Sequence, residues 1–351
     1  MPELQLAQKQ VGGNHPTFII AEIGINHQGN VDIAKKLISK AKDCGADAVK
    51  FQKRSLTRIL TKEGMEMPYD NRNSFGKTYG EHKKVLELSD EDYHTIFRYC
   101  SDHDIIFSAS GWDEDSIDFL NELGMTFFKM ASADLTNLPL LEHTAKLGKP
   151  IILSTGMADL KMVKSAYTTV KKWNEHIAIL QCTSTYPTDF SELHLNVLQT
   201  FSKEFPDAVI GYSGHELGIA ISSATVALGA RIIERHFTLD RTMKGGDHAA
   251  SLEPQGFAKL VRDIRAVEEA LGSSDKQIQE SELPVFRKLS KSLVSLRPIK
   301  SGEPITSEML TTKGPGTGIS PAKMGEVIGK TTVRDILEDE VLKEEDIQWT
   351  H

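Results

Sequence analysis

Cysteine is scarce in this chain: Cys44, Cys100 and Cys182 are its only three among 351 residues. They are odd in number, widely spaced and without a CxxC pair, which excludes a disulfide framework and a thiolate zinc site. They read as reduced, buried thiols of a cytoplasmic protein. Long apolar runs are missing as well, so no membrane span is expected, and Met1–Asn14 has no apolar signal core. Positive charge is not in excess. Lys and Arg number 41 against 49 Asp and Glu, for a net charge of −8 and a pI near 5.9. That balance speaks against a nucleic-acid surface. What remains is an ordinary globular composition, 39% apolar and 26% charged. The length suits one large domain and a small one.

Eight short apolar runs recur along the first 240 residues. They are Phe18–Gly24, Ala48–Lys53, Ile105–Ser110, Phe127–Ser132, Ile151–Thr155, Ile177–Thr183, Ala208–Gly214 and Arg231–Phe237. A stretch of helical periodicity follows each. Ile33, Ala34, Leu37, Ile38, Ala41 and Cys44 mark one helical face. Met162, Val163, Ala166, Val170 and Trp173 mark another, and Leu260, Val261, Ile264, Val267 and Leu271 a third. The regular alternation predicts an α/β fold, a (β/α)8 TIM barrel, in preference to an open doubly wound sheet. The segment Arg54–Ser89 interrupts the rhythm with a long βα loop, the kind that forms lids or substrate walls. The barrel domain is expected to span residues 1–272 and a polar linker residues 273–284. Residues 285–351 form a small domain of short strands, expected to dock on the barrel or on a second subunit.

Polar residues collect where the strands should end, at the barrel face that carries chemistry. His215 and His236 follow the seventh and eighth strands, and two imidazoles with open positions suit a divalent cation: Mn²⁺, Mg²⁺, Co²⁺ or Zn²⁺. Two hydrogen-bonded core histidines would explain the same spacing. Lys50 and Lys129, with Ser132, Ser154 and Ser213, form a candidate phosphate or carboxylate site. One lysine could instead form a Schiff base. Glu22 stands in an apolar strand and is a candidate acid/base or a charge partner for lysine. Asp247 and His248 follow Gly245-Gly246, where backbone can approach a ligand.

Seven segments, in order along nearly the whole chain, resemble the sialic acid synthases. They are Ala21–Gly29, Val49–Gln52, Phe128–Asp134, Ile152–Met157, Gln181–Pro187, Gly211–His215 and Glu234–Asp240. The last part of the chain is similar to that family's antifreeze-like (SAF) domain, through Ile299–Glu303 and Pro315–Ser320. The resemblance implies condensation of phosphoenolpyruvate with an N-acylated mannosamine-type sugar or its 6-phosphate, releasing phosphate. It implies His215 and His236 as metal ligands, Mn²⁺ foremost and Mg²⁺ or Co²⁺ as alternatives. Lys50, Lys129, Ser132, Ser154 and Ser213 would contact phosphoenolpyruvate, and Glu22 would be the essential carboxylate. Gln52, Tyr186 and Asp247 would lie near the sugar or a metal-bound water. Ser184 stands where many bacterial members have Asn. Gly314, in Lys313-Gly314-Pro315-Gly316, stands where many have an arginine that reaches the neighbouring subunit's sugar site. The stretch Lys77–Lys83 is similar to animal-type members, which act on the phosphorylated sugar. A domain-swapped homodimer is implied. Other readings are a synthase for a related nonulosonic acid such as legionaminic acid, a Schiff-base pyruvate aldolase, or a C-terminal domain that binds ice or carbohydrate.

Overall fold

A computed structural model describes residues 2–349 and divides into two compact units between Gly272 and Ser273. In the first unit eight parallel strands alternate with helices. The strands are β1 (Phe18–Gly24), β2 (Ala48–Lys53), β3 (Ile106–Gly111), β4 (Phe128–Met130), β5 (Ile151–Ser154), β6 (Ile177–Cys182), β7 (Val209–Gly214) and β8 (Ile232–His236). The helices that follow them are α1 (Val31–Asp43), α2 (Asp90–Asp102), α3 (Glu114–Leu123), α4 (Leu138–Lys146), α5 (Leu160–Lys171), α6 (Val197–Glu204), α7 (Ala220–Ala227) and α8 (Pro254–Leu271). Spatial order is β3-β2-β1-β8-β7-β6-β5-β4, and the terminal strands β3 and β4 share no ladder. The fold is therefore a nearly closed (β/α)8 barrel and not a doubly wound sheet.

Strand parity sets what faces inward. Phe18, Ile20, Ala48, Ile106, Phe127, Ile152, Ala178, Leu180, Val209 and Ile232 form an apolar plug in the barrel floor. The alternate residues Ile19, Ala21, Val49, Phe51, Ile179, Ile210 and Ile233 face the helices. One step further along the inward rows the side chains become Glu22, Lys50, Ser154, Ser213, Glu234 and His236. The amino-terminal segment, which reads from sequence only as polar, is a hairpin pairing Glu3–Leu6 with Lys9–Gly12. Leu4, Leu6 and Val11 pack into the floor plug, so two-residue alternation in a short segment carries core residues despite its polar composition.

Helix ends follow local chemistry. Asn30 caps α1 by accepting from the amides of Asp32 and Ile33 at 2.9 and 3.0 Å, and Ala34, Leu37, Ile38 and Ala41 are buried. On α5 only the middle of the expected face is buried. Val163, Ala166 and Val170 pack inward, whereas Met162, on the flank of that face, and Trp173, past the helix end, are exposed. Leu271 is exposed at the end of α8. Cys100 and Cys182 are buried and Cys44 only partly so, with its thiol on the carbonyl of Pro254. The fourth strand stops at Met130, and Ser132 opens a 3-10 turn, Ser132–Asp134. Arg54–Ser89 contains three short helices, Leu56–Ile59, Lys62–Glu66 and Tyr79–Leu86.

In the second unit Ser292–Ser295 pairs with Leu310–Lys313, and Thr331–Thr332 with Ile347–Gln348. Leu293, Ile299, Ile305, Ile319, Val327, Ile336 and Leu342 form its own core. Residues 273–284 are not irregular throughout: Glu280–Glu282 is a 3-10 turn and Leu283–Leu289 a helix. Lys313, beside Gly314, pairs with Asp339 and is not a free cation.

The barrel wall and the helix layer are joined by a buried ion pair. Arg235, 1% exposed, donates to Glu216 Oε1 at 2.7 Å, to Ser222 Oγ at 2.8 Å and to the Gly218 carbonyl at 3.0 Å. Tyr212 Oη and Ser222 Oγ donate to the same carboxylate at 2.8 and 3.0 Å. Removing one partner leaves a buried charge unmatched, at a cost of about 3–5 kcal/mol. E216A should lower the unfolding free energy by that amount in urea titrations. A double change, E216L with R235M, should recover much of the loss.

Candidate active site

The twelve residues singled out in the sequence line one cavity of about 280 Å³ at the carboxyl ends of the strands: Glu22, Lys50, Gln52, Lys129, Ser132, Ser154, Ser184, Tyr186, Ser213, His215, His236 and Asp247. Ile25, Arg54, Lys83, Ser110, Trp112, Ala131, Ala133, Met157, Cys182 and Glu234 complete the lining. His248 is not among these residues. Its Nδ1 faces Thr238 Oγ1 at 2.7 Å, which makes it a buried brace of the β8 loop.

Glu234 is the residue that sequence reasoning missed. It lies on β8 two residues before His236, so it shares the inward face, and that parity was the available signal. Its Oε1 lies 3.5 Å from Lys50 Nζ and 3.4 Å from Lys129 Nζ, and accepts from Ser213 Oγ at 3.1 Å. Lys50 also meets Glu22 Oε2 at 3.0 Å, and Gln52 donates to Glu22 Oε1 at 3.0 Å. Two ammonium groups and two carboxylates thus form one chain, each no more than 5% exposed. Isolated charges at this depth would each cost several kcal/mol, so the chain exists only as a set.

The two carboxylates are held apart in acidity. Burial raises Glu22 to about 7, with Glu234 adding and Lys50 opposing. Burial works the same way on Glu234, but Lys129 and Lys50 outweigh it and pull that group down. Burial opposes the charge on Lys50, and Glu22 and Glu234 overcome it, so Lys50 goes up. Lys129 goes down, since burial dominates. This split of one carboxylate up and one down separates acid from base within a small space.

Beside Lys129 the wall turns to small donors. Ser132 Oγ accepts from the Gly156 amide at 3.0 Å, and Ser154 Oγ is buried without a partner. A Cβ at Gly156 would stand 2.1 Å from Ser184 Oγ and 2.9 Å from Ser132 Oγ, so the backbone can come this close only as glycine. Across the mouth, Gly24 turns with φ of 54°, and a side chain there would crowd Glu22, Gln52 and Asp247. Lys129, serine hydroxyls and a close backbone thus make a wall with the donor chemistry an oxyanion needs, opposite the imidazoles.

His215 and His236 lie with ring centroids 5.3 Å apart, and Tyr186 covers His215 at 4.0 Å. His215 Nδ1 donates to the Thr183 carbonyl at 2.8 Å, which leaves Nε2 for a ligand. His236 Nδ1 is buried with no hydrogen-bond partner and lies 3.7 Å from Asp247 Oδ2. Burial lowers His236 to about 4, which keeps its lone pair available at neutral pH. Burial opposes an imidazolium at His215 too, but Cys182 and the Thr183 carbonyl move that ring upward. Among the described residues no three metal-ligating side chains stand ready as a cluster. The donors present fit an ion held by two imidazoles with positions left open.

Comparison with known proteins identifies the family. A model of the NeuB family matches residues 37–276, and one of the SAF domain matches residues 290–348. The chain is 48% identical to human N-acetylneuraminate-9-phosphate synthase over 345 residues, 98% of this chain and 96% of that one. It is 39% identical over 327 residues to the N,N'-diacetyllegionaminic acid synthase of Legionella pneumophila, covering 92% of each. Among solved structures, the sialic acid synthetase of Leptospira borgpetersenii superposes with a TM-score of 0.71 at 34% identity, over 81% of this chain and 94% of that one. The chain belongs to the NeuB family of sialic acid synthases and carries that family's SAF domain at its C-terminal end.

Proposed function

We propose that the protein condenses phosphoenolpyruvate with an N-acylated mannosamine-type sugar carrying a 6-phosphate, giving a nine-carbon 2-keto acid phosphate and inorganic phosphate. The observation that carries the chemistry is the buried Glu22–Lys50–Glu234–Lys129 chain placed between a serine-lined wall and two imidazoles. The 48% identity with a 9-phosphate synthase favours the phosphorylated acceptor over that of the N,N'-diacetyllegionaminic acid synthase, at 39%. A homodimer with exchanged C-terminal domains and a cytoplasmic setting belong to the same reading, on the family resemblance.

Lys129, Ser132, Ser154 and Ser213 hold the phosphate and carboxylate of the enol substrate, with the Gly156 amide beside them. A divalent ion on His215 and His236, Mn²⁺ foremost, would supply Lewis acidity to the acceptor's aldehyde. Tyr186 and Asp247 flank that position. Holding the two reactants face to face supplies about 7–11 kcal/mol of the barrier. The enol C3 bonds to the aldehyde carbon, and the aldehyde oxygen takes a proton. C2 is left electron-poor, water adds there, and the intermediate expels phosphate with cleavage of the C–O bond. Glu22, poised near neutrality beside Lys50, receives the proton that the attacking water loses.

E22Q should leave phosphoenolpyruvate binding within about threefold and lower kcat by about 10²–10⁴, measured as phosphate release with the sugar phosphate. Unchanged turnover would remove Glu22 from the mechanism. G156A should raise KM for phosphoenolpyruvate at least tenfold, because the added methyl pushes Ser184 and Ser132 out of the wall. Titration calorimetry with Mn²⁺ should show one site per chain that is lost in H215A and H236A. Tight binding that survives both changes would place the metal elsewhere.

A further inference from the structure

The loop after β2 brings a cation to the mouth that the chemistry above does not use. Lys83 lies on the short helix Tyr79–Leu86, and its side chain lines the catalytic cavity. The other cations there are matched. Lys50 and Lys129 share the two carboxylates, and Arg54, 5% exposed, pairs with Glu87 at 2.5 Å and covers the Trp112 ring at 5.1 Å. Lys83 has no ion pair or hydrogen bond among the described residues, and only the Tyr79 ring lies under it, at 5.2 Å. Burial, with Arg54 nearby, lowers it to about 8, against the weaker pull of Asp247 and Glu87. A half-buried ammonium without a counter-charge is costly to keep, and an incoming anion would relieve that cost.

The space beside it fits such an anion. Arg54, Lys83, Trp112 and Ala133 line both the catalytic cavity and a neighbouring one of about 560 Å³. The catalytic cavity, at about 280 Å³, falls below the roughly 300 Å³ usual for one small-molecule site. A substrate that outgrows it can extend past Lys83 into the neighbouring space. Three carboxylates of the neighbouring cavity are engaged elsewhere, and Glu114 is exposed at the start of α3. Asp113 caps α3 and receives the Ser55 amide, Asp115 binds Arg58 and Asp134 binds Asn137. The enol phosphate is accounted for at the serine wall, on strands and turns other than this loop. The second anion therefore belongs to the acceptor.

We propose that Lys83, backed by Arg54, anchors a phosphate carried at the far end of the acceptor sugar and so selects phosphorylated over free acceptors. This inference rests on the condensation proposed above. Its test compares phosphate release from phosphoenolpyruvate with N-acetylmannosamine and with its 6-phosphate, in wild type, K83Q and K83R. Wild type should favour the phosphorylated sugar in kcat/KM. K83Q should cut that preference at least tenfold through KM for the sugar phosphate, and K83R should keep most of it. An unchanged preference in K83Q, a loss that falls on KM for phosphoenolpyruvate, or a wild type that favours the free sugar would overturn the anchor. Failure of wild type to release phosphate with any N-acylated mannosamine would instead overturn the condensation itself, and the anchor with it.

Discussion

Four charges buried in one barrel mouth constrain the rest of the structure. Glu22, Lys50, Glu234 and Lys129 come from β1, β2, β8 and β4, and none is stable there alone. Their pairing fixes the relative height of those strands, since a one-residue slip would turn each side chain into the helix layer. It also fixes chemistry. When Glu22 is protonated, Glu234 alone faces the two lysines and one positive charge is unmatched. An anionic enol phosphate would compensate that charge. Stability and substrate choice thus draw on the same contacts.

The barrel achieves this by dividing its interior into layers. The floor is dry and apolar, closed by Leu4, Leu6 and Val11 of the N-terminal hairpin. The charged layer sits on that floor, where water is excluded and electrostatic interactions are strong. Outside the wall, Arg235 and Glu216 repeat the device for another purpose. That pair ties β8 to the α7 region one residue away from His236, so the imidazole is held from behind. A rigid wall and a polar mouth are both needed if two substrates are to meet at a fixed distance.

The second source of shape is the segment between β2 and α2. Its helices place Arg54 and Lys83 at the boundary of two cavities. A capping box of Thr78 and Glu81 starts the helix that carries Lys83, and His82 packs against Tyr69 at 4.5 Å. Local sequence therefore builds the wall, but its chemical meaning comes from what lies across the mouth. That separation is why loops of this kind vary in substrate choice while the barrel chemistry stays fixed.

The eight-fold recurrence of apolar runs, the helical faces and the polar strand ends are properties of residue order, and they determine the barrel and the face that carries its site. Glu22, Lys50 and His236 could be named because a polar residue at the end of an apolar strand has few structural uses. Glu234 escaped notice although it stands two residues before His236, since in one dimension it is only a carboxylate beside Arg235. Only the folded barrel shows that Glu234 points inward to two lysines and Arg235 outward to Glu216. The same holds for the N-terminal hairpin, the exposed ends of α5, and the turn that carries Ser132. Sequence determines which side chains alternate, but strand parity becomes inside or outside only when the sheet closes, and charges find their partners only across that closed wall.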